Sequence, residues 1–376
     1  MNSTDCMQRS DTRVISILER ISQPSVPFHE TRVRNELRSI LEPLTNRNTV
    51  TLSTDRYGNL IAHYWNAGRN LTHSITLASH MDHPGFVVTG ITGQEATAEI
   101  LGGLPRGDAL RNCPVLLIGK DWEGKGVVLG ELPADSGTVR IRLDDSPRQP
   151  PDGLFAVPDL TRFSIAAPFV HGRAMDDLVG CAIQTAVFEQ AVEANLPIDL
   201  TVIYHRAEEI GFIGAQGACE LGSIPRHSIV ISLEASKTLD GAAMGGGIVV
   251  RTGDKAFLFD PNSQALLDDA AAKLAERGIR TQRRRMDGGT CEASLFWAHG
   301  YDVTAIAVPL LNYHNHGDGT VAPEAVTIYD LNAGVELLTC ALDLLPQRRR
   351  ASREALRSDV RNHFNRVRDR LLSAEA

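Results

Sequence analysis

The stretch Leu200-Thr-Val-Ile-Tyr204-His-Arg-Ala-Glu208-Glu209-Ile-Gly211-Phe-Ile-Gly214 is an apolar run that empties into two adjacent carboxylates at a glycine-containing turn. Its first five residues read as a buried strand. Burying paired carboxylates without a cation or hydrogen bonds is costly, so the strand end reads as a site. Four other segments also end an apolar run with metal-ligand side chains. They are Ser79-His80-Met81-Asp82, Gly172-Arg-Ala-Met-Asp176-Asp177, Ser232-Leu-Glu234 and Asn312-Tyr-His314. One such segment would be chance, but five in one chain point to a hydrolase with two metal ions.

Outward from this stretch the chain alternates between helix and strand patterns. Residues 177–195 read as a helix, 229–233 as a strand, 264–277 as a helix, 303–308 as a strand and 323–345 as a helix. That alternation predicts an α/β fold, a mostly parallel sheet with helices on both faces. Sites in such sheets form beyond the carboxyl ends of the strands, where the five segments lie. Upstream, residues 11–43 carry two helical patterns, and 49–53 with 60–65 flank a plausible hairpin turn. Residues 86–166 differ, with short β-type runs between Gly and Pro turns. The expected organisation is a discontinuous catalytic domain (1–85 and 167–345) with an inserted all-β domain at 86–166. A basic amphipathic helix follows at 346–376.

Composition narrows the class. No apolar stretch reaches the roughly 20 residues that span a bilayer, and the N-terminus lacks a signal-peptide pattern, so a cytoplasmic protein with no membrane partner is expected. The six cysteines form no CxxC pair. A disulfide framework and a thiolate zinc site are therefore not expected, and a metal must be held by His, Asp and Glu. The net charge is −8, but residues 346–376 carry nine arginines against four acids, leaving −13 on the rest. An acidic body argues against nucleic acid as a partner. In the basic tail, Leu356, Val360, Phe364, Val367 and Leu371 recur on one helix face. The expected place for that face is the acidic surface of its own subunit, with a subunit contact as the alternative.

Each site residue has more than one reading. His80 and Asp82, two apart in extended chain, suit a ligand and the carboxylate that orients it. Asp176 and Asp177 open a helix, where they can cap free N–H groups or bridge two cations. Glu208 and Glu209 face different ways, so one can hold a cation while the other stays free as a base. Glu234 ends a strand, and His314 competes with His316 for one position. The ligand set is then His80, Asp176, Glu209, Glu234 and His314. Mixed imidazole and carboxylate ligation suits two divalent ions, zinc first, with cobalt or manganese as alternatives.

The order of these motifs resembles a known family. His-Met-Asp, Gly-Arg-Ala-Met-Asp-Asp, Glu-Glu-Ile-Gly-Phe-Ile-Gly-Ala, a strand-end acid, Gly-Gly-Thr and a His past a Pro are similar to the tetrahedral (deblocking or glutamyl) aminopeptidases. The resemblance implies a zinc-exopeptidase-like core and exopeptidase action on short peptides with a free N-terminus. It also implies that His80, Glu234, Glu209 and His314 ligate the two metals, which Asp176 bridges, while Glu208 is the general base and Asp82 orients His80. It further implies a homo-oligomer, in relatives a twelve-subunit tetrahedron, with the β insert building the shell. The chain departs from the pattern at His83-Pro84, Leu178, Glu234 and Cys291, which bears on side-chain preference. Alternatives on the same core are an N-acyl-amino-acid deacylase, a carboxypeptidase-like amidohydrolase, or a catalytically silent scaffold.

Overall fold

A computed structural model of the chain describes residues 3–66, 74–131, 137–145, 152–347 and 353–373. It opens with α1 (Ser3–Ile21) and α2 (Thr31–Leu41), followed by β1 (Val50–Thr54) and β2 (Leu60–Trp65). β3 (Ser74–His80) leads into β4 (Gly85–Thr92), β5 (Glu95–Leu101), β6 (Pro114–Ile118), β7 (Glu123–Glu131), β8 (Thr138–Leu143) and β9 (Phe155–Pro158). Then come β10 (Phe163–Ala166), β11 (Phe169–Gly172), α3 (Met175–Glu193), β12 (Asp199–His205), α4 (Ile213–Leu221), β13 (Ile229–Lys237) and β14 (Val249–Arg251). The last third contains α5 (Pro261–Glu276), β15 (Gln282–Arg284), α6 (Glu292–Ala298), β16 (Asp302–Leu310), β17 (Glu324–Thr327), α7 (Ile328–Leu344) and α8 (Arg353–Ser373).

One sheet runs in the order β1-β2-β12-β3-β13-β16-β14-β15. Its centre, β12-β3-β13-β16, is parallel, so four carboxyl ends meet along one edge. Both flanks join this centre antiparallel, the β1–β2 hairpin through β2 and β14 through β16, and the edge strand β15 then pairs parallel with β14. Alternation along the strands sends Ile75, Leu77, Val202 and Ile231 into the core shared with α1, α3, α5 and α7. Ala78, Ile203, Val230 and Val303 go to the other face, under α4 and α6. Burial on both faces is why these strands are apolar along nearly their whole length.

The all-β segment closes into a barrel, ordered β4-β5-β8-β7-β6-β9, around Phe86, Val115, Leu117, Val128 and Ile141. Its last strand ends at Pro158. The sequence groups residues 163–166 with this insert; the structure instead pairs β10 with β11, and β11 with β17, in a separate three-stranded sheet. Likewise the stretch expected as one helix from 323 divides. Glu324–Thr327 joins β11 as a strand, and Thr327 Oγ1 then accepts the Asp330 N–H at 3.1 Å to cap α7. No described helix is long and apolar enough to cross a membrane. Among the described residues the tail shows no docking on its own subunit. Every described side chain from Arg357 to Arg370 is exposed except the half-buried Val367.

The turn between β12 and α4 closes on itself at Gly214, whose N–H donates to the Arg206 carbonyl at 2.9 Å. A Cβ at Gly214 would sit 2.3 Å from Arg206 O and 2.5 Å from Arg206 N. Backbone cannot give way as a flexible side chain can. Gly214→Ala should therefore cost about 1–3 kcal/mol, read as a fall in Tm. Gly90→Ala, where an added carbon meets nothing within 4 Å, should leave Tm unchanged. Equal Tm values for the two variants would refute the close-approach account.

Candidate metal centre

His80 is the last residue of β3, and Glu234 lies on β13. Glu208 and Glu209 follow β12, His314 follows β16, and Asp176 stands at the start of α3. The parallel centre of the sheet brings all of them to one edge. Ligand atoms of His80, Asp176 and Glu234 lie within 4.8 Å of one another, as do those of Asp176, Glu209 and His314. A third such group is His80, Glu208 and Glu209. Asp176 Oδ1 is 3.5 Å from His80 Nε2, and Oδ2 is 3.4 Å from His314 Nε2. Glu209 Oε2 lies 3.2 Å from the same His314 nitrogen. Donors bound tetrahedrally at about 2.0–2.2 Å stand roughly 3.3–3.6 Å apart, so the spacings fit small divalent ions.

The two residues of the Asp pair take different positions. Asp177 Oδ1 accepts the Gly180 N–H at 3.1 Å and caps α3. Asp176, with non-helical φ and ψ, turns toward the histidines. Asp82 differs from expectation in which of its atoms acts. His80 Nδ1 lies 3.1 Å from the Asp82 carbonyl oxygen, which makes Nδ1 the donor and leaves Nε2 free for the cluster. The Asp82 carboxylate, 3.7 Å from that nitrogen, instead accepts the N–H groups of Glu208 and Glu209 at 3.0 and 3.1 Å. His316 points away from the cluster, its Nε2 2.9 Å from the Gly103 carbonyl of the barrel.

Several supporting residues escape a reading of the sequence. Buried Glu324 accepts the N–H groups of Met175, Asp176 and His314 at 2.6, 3.0 and 2.7 Å, tying two ligand segments together. The available signal was a lone acid in the apolar run Val321–Ile328. His83, a departure from the family pattern, bridges the Asp176 carbonyl at 2.7 Å and Asn315 Oδ1 at 3.0 Å. Glu30 accepts the Ala207 N–H at 3.0 Å and Arg206 Nε at 2.6 Å, fixing the turn before Glu208. Beside Cys291, Glu292 accepts from His205 Nδ1 at 2.9 Å, both residues being fully buried.

The cluster carries more carboxylate than cation. Burial pushes the Glu208 carboxyl well above the usual range, opposed by His80 and reinforced by Glu234 and Glu209. Burial likewise pushes Glu234 and Asp82 up to about 7. It would lower His314, but the Glu209 and Asp176 carboxylates raise that imidazole to about 10. For Asp176, attraction by the His314 and His80 imidazoles overcomes burial and holds the carboxyl below its usual range. Asp176 Oδ1 and Glu209 Oε1 are buried without a hydrogen-bond partner. Orphaned carboxylate oxygens beside imidazole nitrogens fit divalent cations, which would satisfy them. The adjoining cavity, ≈ 240 Å³, is bounded by His80, Asp176, Glu208 and Glu234 on one side and Arg251 and Tyr313 on another.

The M42 glutamyl aminopeptidase family model matches residues 152–337, the segment that carries Asp176, Glu208, Glu209, Glu234 and His314. Among solved structures, the TET1 peptidase of Pyrococcus horikoshii is similar, with 21% identity and a TM-score of 0.71 over 87% of this chain and 98% of its own. That peptidase can assemble into a tetrahedron or a large octahedral shell. A TET aminopeptidase from a marine-sediment Thaumarchaeota archaeon has 17% identity and a TM-score of 0.75, over 88% of this chain and 96% of its own. An aminopeptidase of the archaeon Desulfurococcus kamchatkensis has 18% identity and a TM-score of 0.73, over 89% and 95%. These likenesses establish a shared fold that includes the barrel-bearing half outside the matched segment. Nearly half of the chain, the part that holds most of the cluster, thus matches the M42 glutamyl aminopeptidase family.

Proposed function

We propose that this metal-dependent aminopeptidase removes N-terminal residues from short peptides using two divalent ions on a zinc-exopeptidase-like core. The observation that carries the reading is Asp176, with one oxygen 3.5 Å from His80 and the other 3.4 Å from His314. His80 and Glu234 would hold one ion, Glu209 and His314 the other, and Asp176 would give one oxygen to each. Zinc suits this donor set best, with cobalt or manganese also accommodated. Bound ions supply Lewis acidity, polarising the scissile carbonyl and acidifying the attacking water.

Glu208 belongs to neither of the two ligand sets that share Asp176. Its Oε2 lies 3.8 Å from His80 Nε2, facing the same space. Held there, it takes the proton from water at Oε2 and returns it to the leaving amine. Asp82 keeps Glu208 and Glu209 aimed in different directions by accepting both of their N–H groups. The α/β body is the catalytic part, the β insert serves assembly or acts as a lid, and the chain assembles as a homo-oligomer.

Arg251 gives this site its substrate preference. It is 3% exposed, lines the cavity, and its Nε has no hydrogen-bond partner. Glu234 and Asp254 attract this buried cation, but no carboxylate pairs with it within 4 Å among the described residues, and an acidic side chain at the substrate N-terminus would complete its pairing. The family's glutamyl description supports the same preference.

Removing divalent ions with a chelator should abolish hydrolysis of an aminoacyl-anilide and lower Tm, because ions bound only to the folded state stabilise it. Restoring zinc should recover both; full activity in protein shown metal-free by elemental analysis would overturn the metal assignment. Glu208→Gln should reduce kcat by at least ~10²-fold with metal content retained. Glu209→Gln should lose metal as well, and the opposite pattern would exchange the two roles. Arg251→Met should lower kcat/KM for a glutamyl-anilide by ~10-fold or more while sparing a leucyl-anilide. Equal losses on both substrates would deny Arg251 a part in selection.

A further inference from the structure

The 21-residue helix α8 stands apart from the fold, and no other element packs along it among the described residues. It begins beyond residue 337, where the family match ends. Val360 and Phe364 are 61% and 49% exposed, and Val367 follows at the helical spacing that puts all three on one face. Isolated helices are marginal in water even when their sequence favours them, and their stability in proteins comes from packing an apolar face. Among the described residues this face finds no partner within its own subunit.

We propose that α8 is an intersubunit strap whose apolar face seats on the acidic body of a second copy of this chain. Charge selects that occupant. Residues 346–376 carry nine arginines against four acids, while the remainder of the chain carries a net −13. Complementary fields of this kind steer association between copies and fix its orientation. Two α8 helices pressed together would instead set arginine against arginine. The same acidic body would repel a phosphate backbone or an anionic membrane brought to the tail. The strap is independent of the peptidase chemistry, since α8 contributes nothing to the cluster.

The test uses full-length protein in analytical ultracentrifugation across a concentration series, at low and high sodium chloride. One variant carries Val360→Asp with Phe364→Asp, and a second carries Arg361→Glu with Arg366→Glu. Each should weaken self-association by about tenfold or more, the first by removing buried apolar area and the second by opposing the acidic body. Salt should weaken the wild type and have less effect on the arginine variant. Turnover of an aminoacyl-anilide per folded chain should stay unchanged, which separates failure of the strap from failure of the peptidase reading. A wild type monomeric at every concentration, or unaltered association in both variants, overturns the proposal. Weakening by the aspartates alone overturns the acidic body as partner and assigns the face to α8 pairing. Tight binding of the wild type to anionic vesicles or duplex DNA, abolished by the arginine variant, also overturns it.

Discussion

Asp176 directs one carboxylate oxygen toward His80 and the other toward His314, and the surrounding bonds hold it in that position. Glu324 fixes its N–H, and His83 lies 2.7 Å from its carbonyl oxygen. Asp177 takes over the helix cap, so the Asp176 side chain has no competing duty. Few arrangements let one short side chain serve two sets of donors. This one arises because α3 begins over the carboxyl edge of the sheet, where β3 ends in His80.

The electrostatic consequence is a buried site that is unfavourable on its own. Asp82, Asp176, Asp177 and Glu324 are all buried beside Glu208, Glu209 and Glu234, with His80 and His314 facing them. Backbone N–H groups satisfy part of this charge, as at Asp82 and Glu324. Asp176 Oδ1 and Glu209 Oε1 remain without partners. A hydrophobic core of similar volume would be more stable than such a group of acids. The fold tolerates the cluster because the cores on both faces of the sheet are extensive, and the acids are confined to the strand ends.

Much of this was legible in the sequence, for identifiable reasons. Ligands at the ends of apolar runs are visible because a charge there breaks a strong pattern, as at His80, which closes β3, and at Glu234, which ends the run from Ile229 although β13 itself continues to Lys237. Residues that act through the backbone are less visible. Asp82 was readable as a partner of His80, but its carboxylate binds N–H groups 126 and 127 positions away, a pairing set by chain folding. Glu30 reaches Ala207 in the same way. The sequence groups β10 with the insert because such runs are short and β-like; its partner β11 pairs in turn with β17, more than 150 residues further on, in a stretch that reads as helix. Arg251 stood in a three-residue strand too short for periodicity to mark. Spacing alone marks the tail's amphipathic face, whereas the exposure of Val360 and Phe364 depends on how the chain folds around it.

The barrel supplies none of the proposed ligands, yet it helps decide where one of them sits. A Cβ on Gly103 would lie 2.4 Å from His314 Nδ1, so the loop after β5 approaches that ring as closely as a residue without a side chain allows. The carbonyl of the same glycine accepts from His316 Nε2 at 2.9 Å. The two histidines that compete for one role in the sequence therefore divide the work. His314 faces the acids, and His316 fastens the same short loop to the barrel. Movement of the barrel relative to the sheet would pull on the His314 loop instead of sliding past it. An insert that looks dispensable to the chemistry is thereby coupled to the geometry of half the proposed ligand set, through one glycine and one hydrogen bond.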